Sequence, residues 1–144
     1  MATPAPPLNG LRHLALKVTN MAASRAFYEG ALGMTVVWEP DPDNVYLSSG
    51  LDNLALHQIP PEELAQYQRN RGQFLDHFGF IVPSPAEVDG WHDRLRGAGA
   101  TILKPPARHR DGSVSCYVAD PDGHAIQFLY EPTLSRQRLT STKS

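Results

Sequence analysis

The sequence predicts an α+β domain of two tandem βαβββ units that form a curved eight-stranded mixed surface. Three observations carry this reading. One strand, a helix and three further strands follow each other over residues 11–59, and the same order returns over residues 76–131. His13 and His77, near the starts of the two first strands, are 64 residues apart. Gly33 and Gly99, which close the two helices, are 66 apart, so the units run in step although their sequence identity is weak.

Each element has a local cause. In Leu11–Val18 the side chains alternate, with His13, Ala15 and Lys17 on one face and Leu14, Leu16 and Val18 on the other. Thr19 or Asn20 caps a helix carrying Ala23, Ala26, Phe27 and Ala31 near helical spacing, and Gly33 ends it. Met34–Trp38, Asn44–Ser48 and Asn53–Ile59 are the next three strands. Residues 60–73 form a polar connector with one helical turn. In the second unit Asp76–Val82 is a strand, and a helix runs from Ser84 and Pro85 to Gly97 or Gly99. Thr101–Leu103, Ser113–Ala119 and His124–Tyr130 complete the set, the last two joined by the turn Asp120-Pro121-Asp122-Gly123. Phe74, Phe78, Phe80, Trp38 and Trp91 are core candidates.

Composition narrows the function. The chain has 144 residues, about one domain's worth. Thirteen basic against fifteen acidic residues give a net charge of −2, which offers nothing to nucleic acid or an anionic membrane. No apolar run approaches the roughly 20 residues of a membrane span. The start, MATPAPPLNG, has neither the basic nor the apolar region of a secretory signal, so the expected location is the cytoplasm. The lone Cys116 forms no intrachain disulfide and reads as a small buried hydrophobe. Residues 1–9 and 133–144 read as flexible tails around a single domain over 10–132. The glycines are scattered, so a dinucleotide cofactor is not expected.

Four segments carry a resemblance: HLALKV near the start, SRAFYEGALGM, HFGFIV after mid-chain, and DPDGHAIQFLYEP near the end. Together they resemble the vicinal oxygen chelate superfamily, which includes glyoxalase I, fosfomycin- and bleomycin-resistance proteins and extradiol dioxygenases. The resemblance covers residues 11–131. It implies that each unit curls into half of a cup, with metal ligands projecting from its first and last strands. Those positions are His13, Ala55, His77 and Gln127 here. Alanine cannot ligate, so the implied set is His13, His77 and Gln127, closest to the three-ligand dioxygenases and fosfomycin-resistance enzymes. Gln127 stands where Glu is usual. Its carbonyl binds a divalent ion but adds no charge, so affinity should be lower and Lewis acidity higher. The implied ion is Fe, Mn, Ni, Zn or Mg; the alternative is a cup without metal, with these three residues as hydrogen-bonding wall.

Other residues are weighed against plainer roles. His57, two residues past Ala55 on the same face, is a substitute ligand or an acid–base group, or else a partly exposed strand-end histidine. Tyr46 and Tyr117 sit at equivalent places on the third strands, as phenol donors to a bound oxygen or as core packing. Arg108 and His109 lie on the loop ARHRDG, which closes over the cup onto an anionic substrate or is merely solvated. Two functions follow. One is a divalent-metal-dependent enzyme of dioxygenase, lyase or isomerase type acting on a small oxygen-chelating substrate. The other is a metal-free protein that sequesters a small molecule. A homodimer is expected, since open half-barrels leave sheet edges and an apolar rim to cover; in the resembling family the cup forms within one chain or across two.

Overall fold

The computed structural model describes residues 4–67 and 75–137. The elements are β1 (His13–Val18), α1 (Met21–Arg25) continued by a π-helical segment (Ala26–Ala31), β2 (Thr35–Asp41), β3 (Asn44–Ser48) and β4 (Asn53–Gln58). A 3-10 helix (Pro61–Gln66) leads toward β5 (Phe78–Ile81), α2 (Pro85–Gly97), β6 (Thr101–Arg108), β7 (Val114–Ala119) and β8 (Ala125–Tyr130). Phe74 and the end of the connector fall outside the described residues, as do the ends of both tails. The strands make two four-stranded sheets, ordered β1-β4-β3-β2 and β5-β8-β7-β6. In each, the first strand pairs parallel with the last and the other pairs are antiparallel. The repeated βαβββ order is therefore real, and its eight strands are divided into two unclosed sheets.

Alternation puts one face of each sheet into a shared core. Leu16 and Val18, Val45 and Leu47, Leu54 and Leu56, Cys116 and Val118, and Ile126 and Phe128 are all buried. Phe27 and Tyr28 from the first helical segment and Val88 and Leu95 from α2 cover them. Each fully buried Leu, Val or Phe contributes roughly 1.5–3 kcal/mol before conformational entropy is charged against it. The opposite face of each sheet carries His13, Ala15 and Lys17, or Gln127 and Leu129, and stays open.

Asn20 supplies the first helix cap: extended at its own backbone, it accepts the Ala23 N–H at 3.0 Å. The helix does not stay α-helical up to Gly33. Its second half is a π-helix, with the Leu32 N–H on the Phe27 carbonyl at 2.9 Å, and both Phe27 and Tyr28 are buried from it. Arg25 holds this segment to β2 through Glu29 at 2.9 Å and Glu39 at 2.8 Å.

Three further differences from expectation have physical causes. β6 continues through Pro105 and Pro106 to Arg108, because it is an edge strand and the register shift between Lys104 and Ala107 spans the two residues without donors. β2 does the same at Pro40. Trp38 is not core: β2 is also an edge, and its indole is 58% exposed on the open face.

The two units are clamped together at the β7–β8 turn. The Tyr28 hydroxyl donates to Asp120 at 2.7 Å, and the Thr19 N–H to Asp122 at 3.1 Å, with the Thr19 hydroxyl on the same carboxylate. Asp120 also accepts the N–H groups of Asp122 at 3.0 Å and His124 at 2.8 Å. Burial pushes the Asp120 carboxyl up from its ordinary value, against the lowering effect of the Tyr28 bond, and pushes the Tyr28 phenol well up.

Candidate functional site

Strand register assembles the site on the open faces. β1 beside β4 puts His13 next to Asn53, Ala15 next to Ala55 and Lys17 next to His57. β3 adds Tyr46 next to Ala55 and Asn44 next to His57, and β2 adds Trp38 next to Tyr46. In the second sheet Gly79 lies next to Gln127, Tyr117 next to Gln127, and Lys104 next to Tyr117. Superposing the registers matches Ala15 with Gly79, Ala55 with Gln127, Tyr46 with Tyr117 and Trp38 with Lys104. His13 and His77 each stand two residues before the matched Ala15 and Gly79, His13 opening β1 and His77 just ahead of β5.

A cavity of about 310 Å³ opens where β1 and β5 come near each other, and His13, Asn53, His77 and Gly79 are among its lining. Each histidine is oriented through Nδ1. His13 meets Asn53 Oδ1 at 2.8 Å, and His77 meets Asp76 Oδ2 at 2.6 Å. An oxygen acceptor at Nδ1 keeps the proton there and leaves the Nε2 lone pair free, the arrangement found behind metal-ligating imidazoles. His57 is held in the same way by Asn44 Oδ1 at 2.6 Å. Gln127 is half-buried on β8 while its neighbours Ile126 and Phe128 face the core. A Cβ at Gly79 would lie 2.9 Å from the Gln127 carbonyl oxygen and 3.4 Å from its Cβ, so the bare glycine leaves the glutamine its room. Two free imidazole nitrogens suit a divalent ion, and the Asp76 carboxylate stands behind one of them; Gln127, beside Gly79 on the neighbouring strand, is not part of the cavity lining. Among the described residues no group of three His, Cys, Asp or Glu side chains comes together.

The remaining candidates divide. Tyr117 meets the His77 ring edge-on at 5.2 Å, and Lys104 lies 5.0 Å from the Tyr117 centroid. Tyr46 joins His57 edge-on at 5.8 Å and Trp38 at 4.9 Å. His109, in the β6–β7 turn, bonds Ser115 Oγ at 3.1 Å, and Ser115 shares the open face with Tyr117. Arg108 parts from it: paired with core-facing Val114, it sits exposed on the other face of β6. Local sequence pattern does not mark Asn53, Gly79, Lys17 or Lys104 as part of the site. Asp76 directly before His77 was a readable signal; Asn53 required the β1–β4 register. A larger cavity, about 530 Å³, lies between the first helical segment and β6, but its one carboxylate, Asp120, is already fully engaged.

Comparison with known proteins agrees with this architecture. The sequence profile of the Glyoxalase/Bleomycin resistance protein/Dioxygenase superfamily matches residues 10–128. An uncharacterized Pseudomonas aeruginosa protein is 30% identical over 131 residues, covering 83% of this chain and 87% of its own. Glutathione transferase FosA of Serratia marcescens is 30% identical over 122 residues, covering 83% and 79%. Biphenyl-2,3-diol 1,2-dioxygenase of Sphingomonas paucimobilis is 27% identical over 133 residues, with 89% of this chain covered but only 41% of the dioxygenase. The crystal structure of lactoylglutathione lyase from Agrobacterium tumefaciens shares the fold, with a TM-score of 0.69 at 24% identity over 87% of this chain and 96% of that one. No helix among the described residues is long and apolar enough to cross a membrane. With its doubled βαβββ sheets and the profile match over nearly the whole domain, the chain belongs to the Glyoxalase/Bleomycin resistance protein/Dioxygenase superfamily.

Proposed function

We propose that the protein is a divalent-metal-dependent enzyme acting on a small substrate that offers adjacent oxygens, through dioxygenase, lyase or isomerase chemistry. The observation that carries this is the matched pair His13 and His77, each with Nδ1 tied to an oxygen, sharing one cavity. His13 Nε2, His77 Nε2 and the Gln127 amide oxygen would hold the ion. When bound, it supplies Lewis acidity to substrate oxygens. Asn53 and Asp76 fix the two rings. Tyr117, its ring edge-on to His77, would offer its hydroxyl to the substrate, and His57, held by Asn44, would accept or return a proton on the first unit's face. Likeness to a dioxygenase and to FosA supports an enzyme; the substrates of those proteins remain theirs. The assembly proposed is a cytoplasmic homodimer associating along the open sheet edges.

Ala55 and Gln127 leave both strand-end ligand positions without a carboxylate, which favours a metal-free binding protein as the second reading. Titration of Mn(II) or Zn(II) into wild type, His77→Ala and Gln127→Glu separates the two. The proposal expects binding in wild type, loss in His77→Ala and tighter binding in Gln127→Glu. Equal affinity in all three overturns the ligand assignment, and no binding in any makes the protein a metal-free binder.

A further inference from the structure

The two open faces share a register and differ in chemistry. Where the second unit has Gln127 and Lys104, the first has Ala55 and Trp38. Trp38 presents an indole to solvent, and its ring leans on Tyr46 at a 40° tilt. A large exposed aromatic surface backed by a second ring is a platform for a flat apolar group. On the same face but at the opposite edge of the sheet, in register with His57, Lys17 donates from Nζ to the Tyr67 hydroxyl at 2.8 Å. That bond raises the affinity of Lys17 for its proton; Glu63 acts in the same sense from further off. Among the described residues no carboxylate forms an ion pair with Lys17. Because it accepts from Lys17, the Tyr67 hydroxyl keeps its own proton to donate. An ammonium and a phenol O–H thus meet on the sheet face that carries the aromatic platform, and among the described residues no carboxylate is bonded to the ammonium.

We propose that the first unit's open face binds a flat aromatic ring carrying an anionic group, with the ring on Trp38 and Tyr46 and the anion on Lys17 and Tyr67. Tyr46 and Lys17 are two strands and two residues apart, about 12 Å between Cα atoms at standard sheet spacings, and the His57 ring, edge-on to Tyr46 at 5.8 Å, stands on the strand between them. His13 lies on the same strand as Lys17 and the same face, so a ligand seated here lies on the face that carries His13. This names the substrate class for the proposed enzyme, and it rests on the open faces being the binding site rather than on the metal.

The test is calorimetric titration of the full-length protein with 2-naphthoate, 2-naphthamide and cyclohexanecarboxylate, in EDTA so that no carboxylate sits on a metal. Wild type should prefer 2-naphthoate to each of the other two by at least about tenfold, the step for roughly 1.4 kcal/mol. Lys17→Met should abolish the preference over the amide, and Trp38→Ala the preference over the alicyclic acid. Both side chains are exposed, and both variants should keep wild-type Mn(II) affinity within about twofold. Failure of wild type to bind Mn(II), with the naphthoate preference intact, removes the metal and leaves this subsite standing. No preference for 2-naphthoate, or the same preference in Lys17→Met, overturns it.

Discussion

Gly79 stands beside Gln127 in the parallel β5–β8 pair, so close that a Cβ on residue 79 would lie 2.9 Å from the Gln127 carbonyl oxygen. The obstacle is backbone and cannot swing away. Gly79→Ala should therefore push β5 off β8, at a cost of about 1–3 kcal/mol as in overpacked cores. Chemical denaturation should show the loss, and Mn(II) titration should show weaker binding, because His77 and Gln127 move apart together.

The hydrogen-bond partners behind the imidazoles should matter without touching a ligand. Asp76→Ala and Asn53→Ala are each expected to weaken divalent-ion binding by about 10–100-fold, with unchanged circular dichroism. Asp76 should have the larger effect, since it removes a charge as well as an acceptor. Equal affinity in wild type and both variants would count against Nε2 ligation by His13 and His77.

Asp120 makes stability depend on pH in a definite sense. Burial raises its carboxyl above the ordinary value near 3.8 that it has when unfolded. The folded protein therefore favours the protonated form, and ionisation costs stability. That cost is absent below the unfolded value, grows as pH rises, and is complete above the folded one. Asp120→Asn keeps an acceptor for the Asp122 and His124 N–H groups and removes the charge. Its stability relative to wild type should rise with pH across this window, as urea denaturation at a series of pH values would show. Tyr28→Phe leaves an Asp120 oxygen without its buried donor and should cost about 1–3 kcal/mol at neutral pH.

Cys116 is fully buried, and burial pushes its thiol up to about 11. The native protein should react with a disulfide reagent such as DTNB only as fast as it opens, and stoichiometrically in denaturant. Rapid labelling of the native fold would show that β7 is accessible.

Much of the architecture was written in local pattern. Alternation in HLALKV and HAIQFLY assigns His13 and Gln127 to open faces, and the helix start at Asn20 and both closing glycines follow from capping chemistry. Gly33 and Gly99 do take positive φ, at 75° and 84°. What the sequence hides depends on neighbours distant in the chain. Trp38 counts as core by hydropathy and is exposed because β2 is an edge. Pro105 and Pro106 read as a stop, yet an edge strand tolerates them. Lys17 and Tyr67 are 50 residues apart, and His13 and Asn53 are 40 apart. Neither pair shows in any window short enough to read periodicity.

The prolines in β2 and β6 sort the molecule's four outer strands into two kinds. A strand interrupted by proline and bulges cannot template a neighbour, because it lacks donors and its ladder is broken. β2 and β6 are thus closed to main-chain zippering, whether by a second copy or by a growing aggregate. Among the described residues, β1 and β5, HLALKV and FGFI, carry no proline and keep continuous rows of backbone donors and acceptors at the sheet margins. Strand-to-strand union between copies of this chain is thereby directed to the margins that hold His13 and adjoin His77.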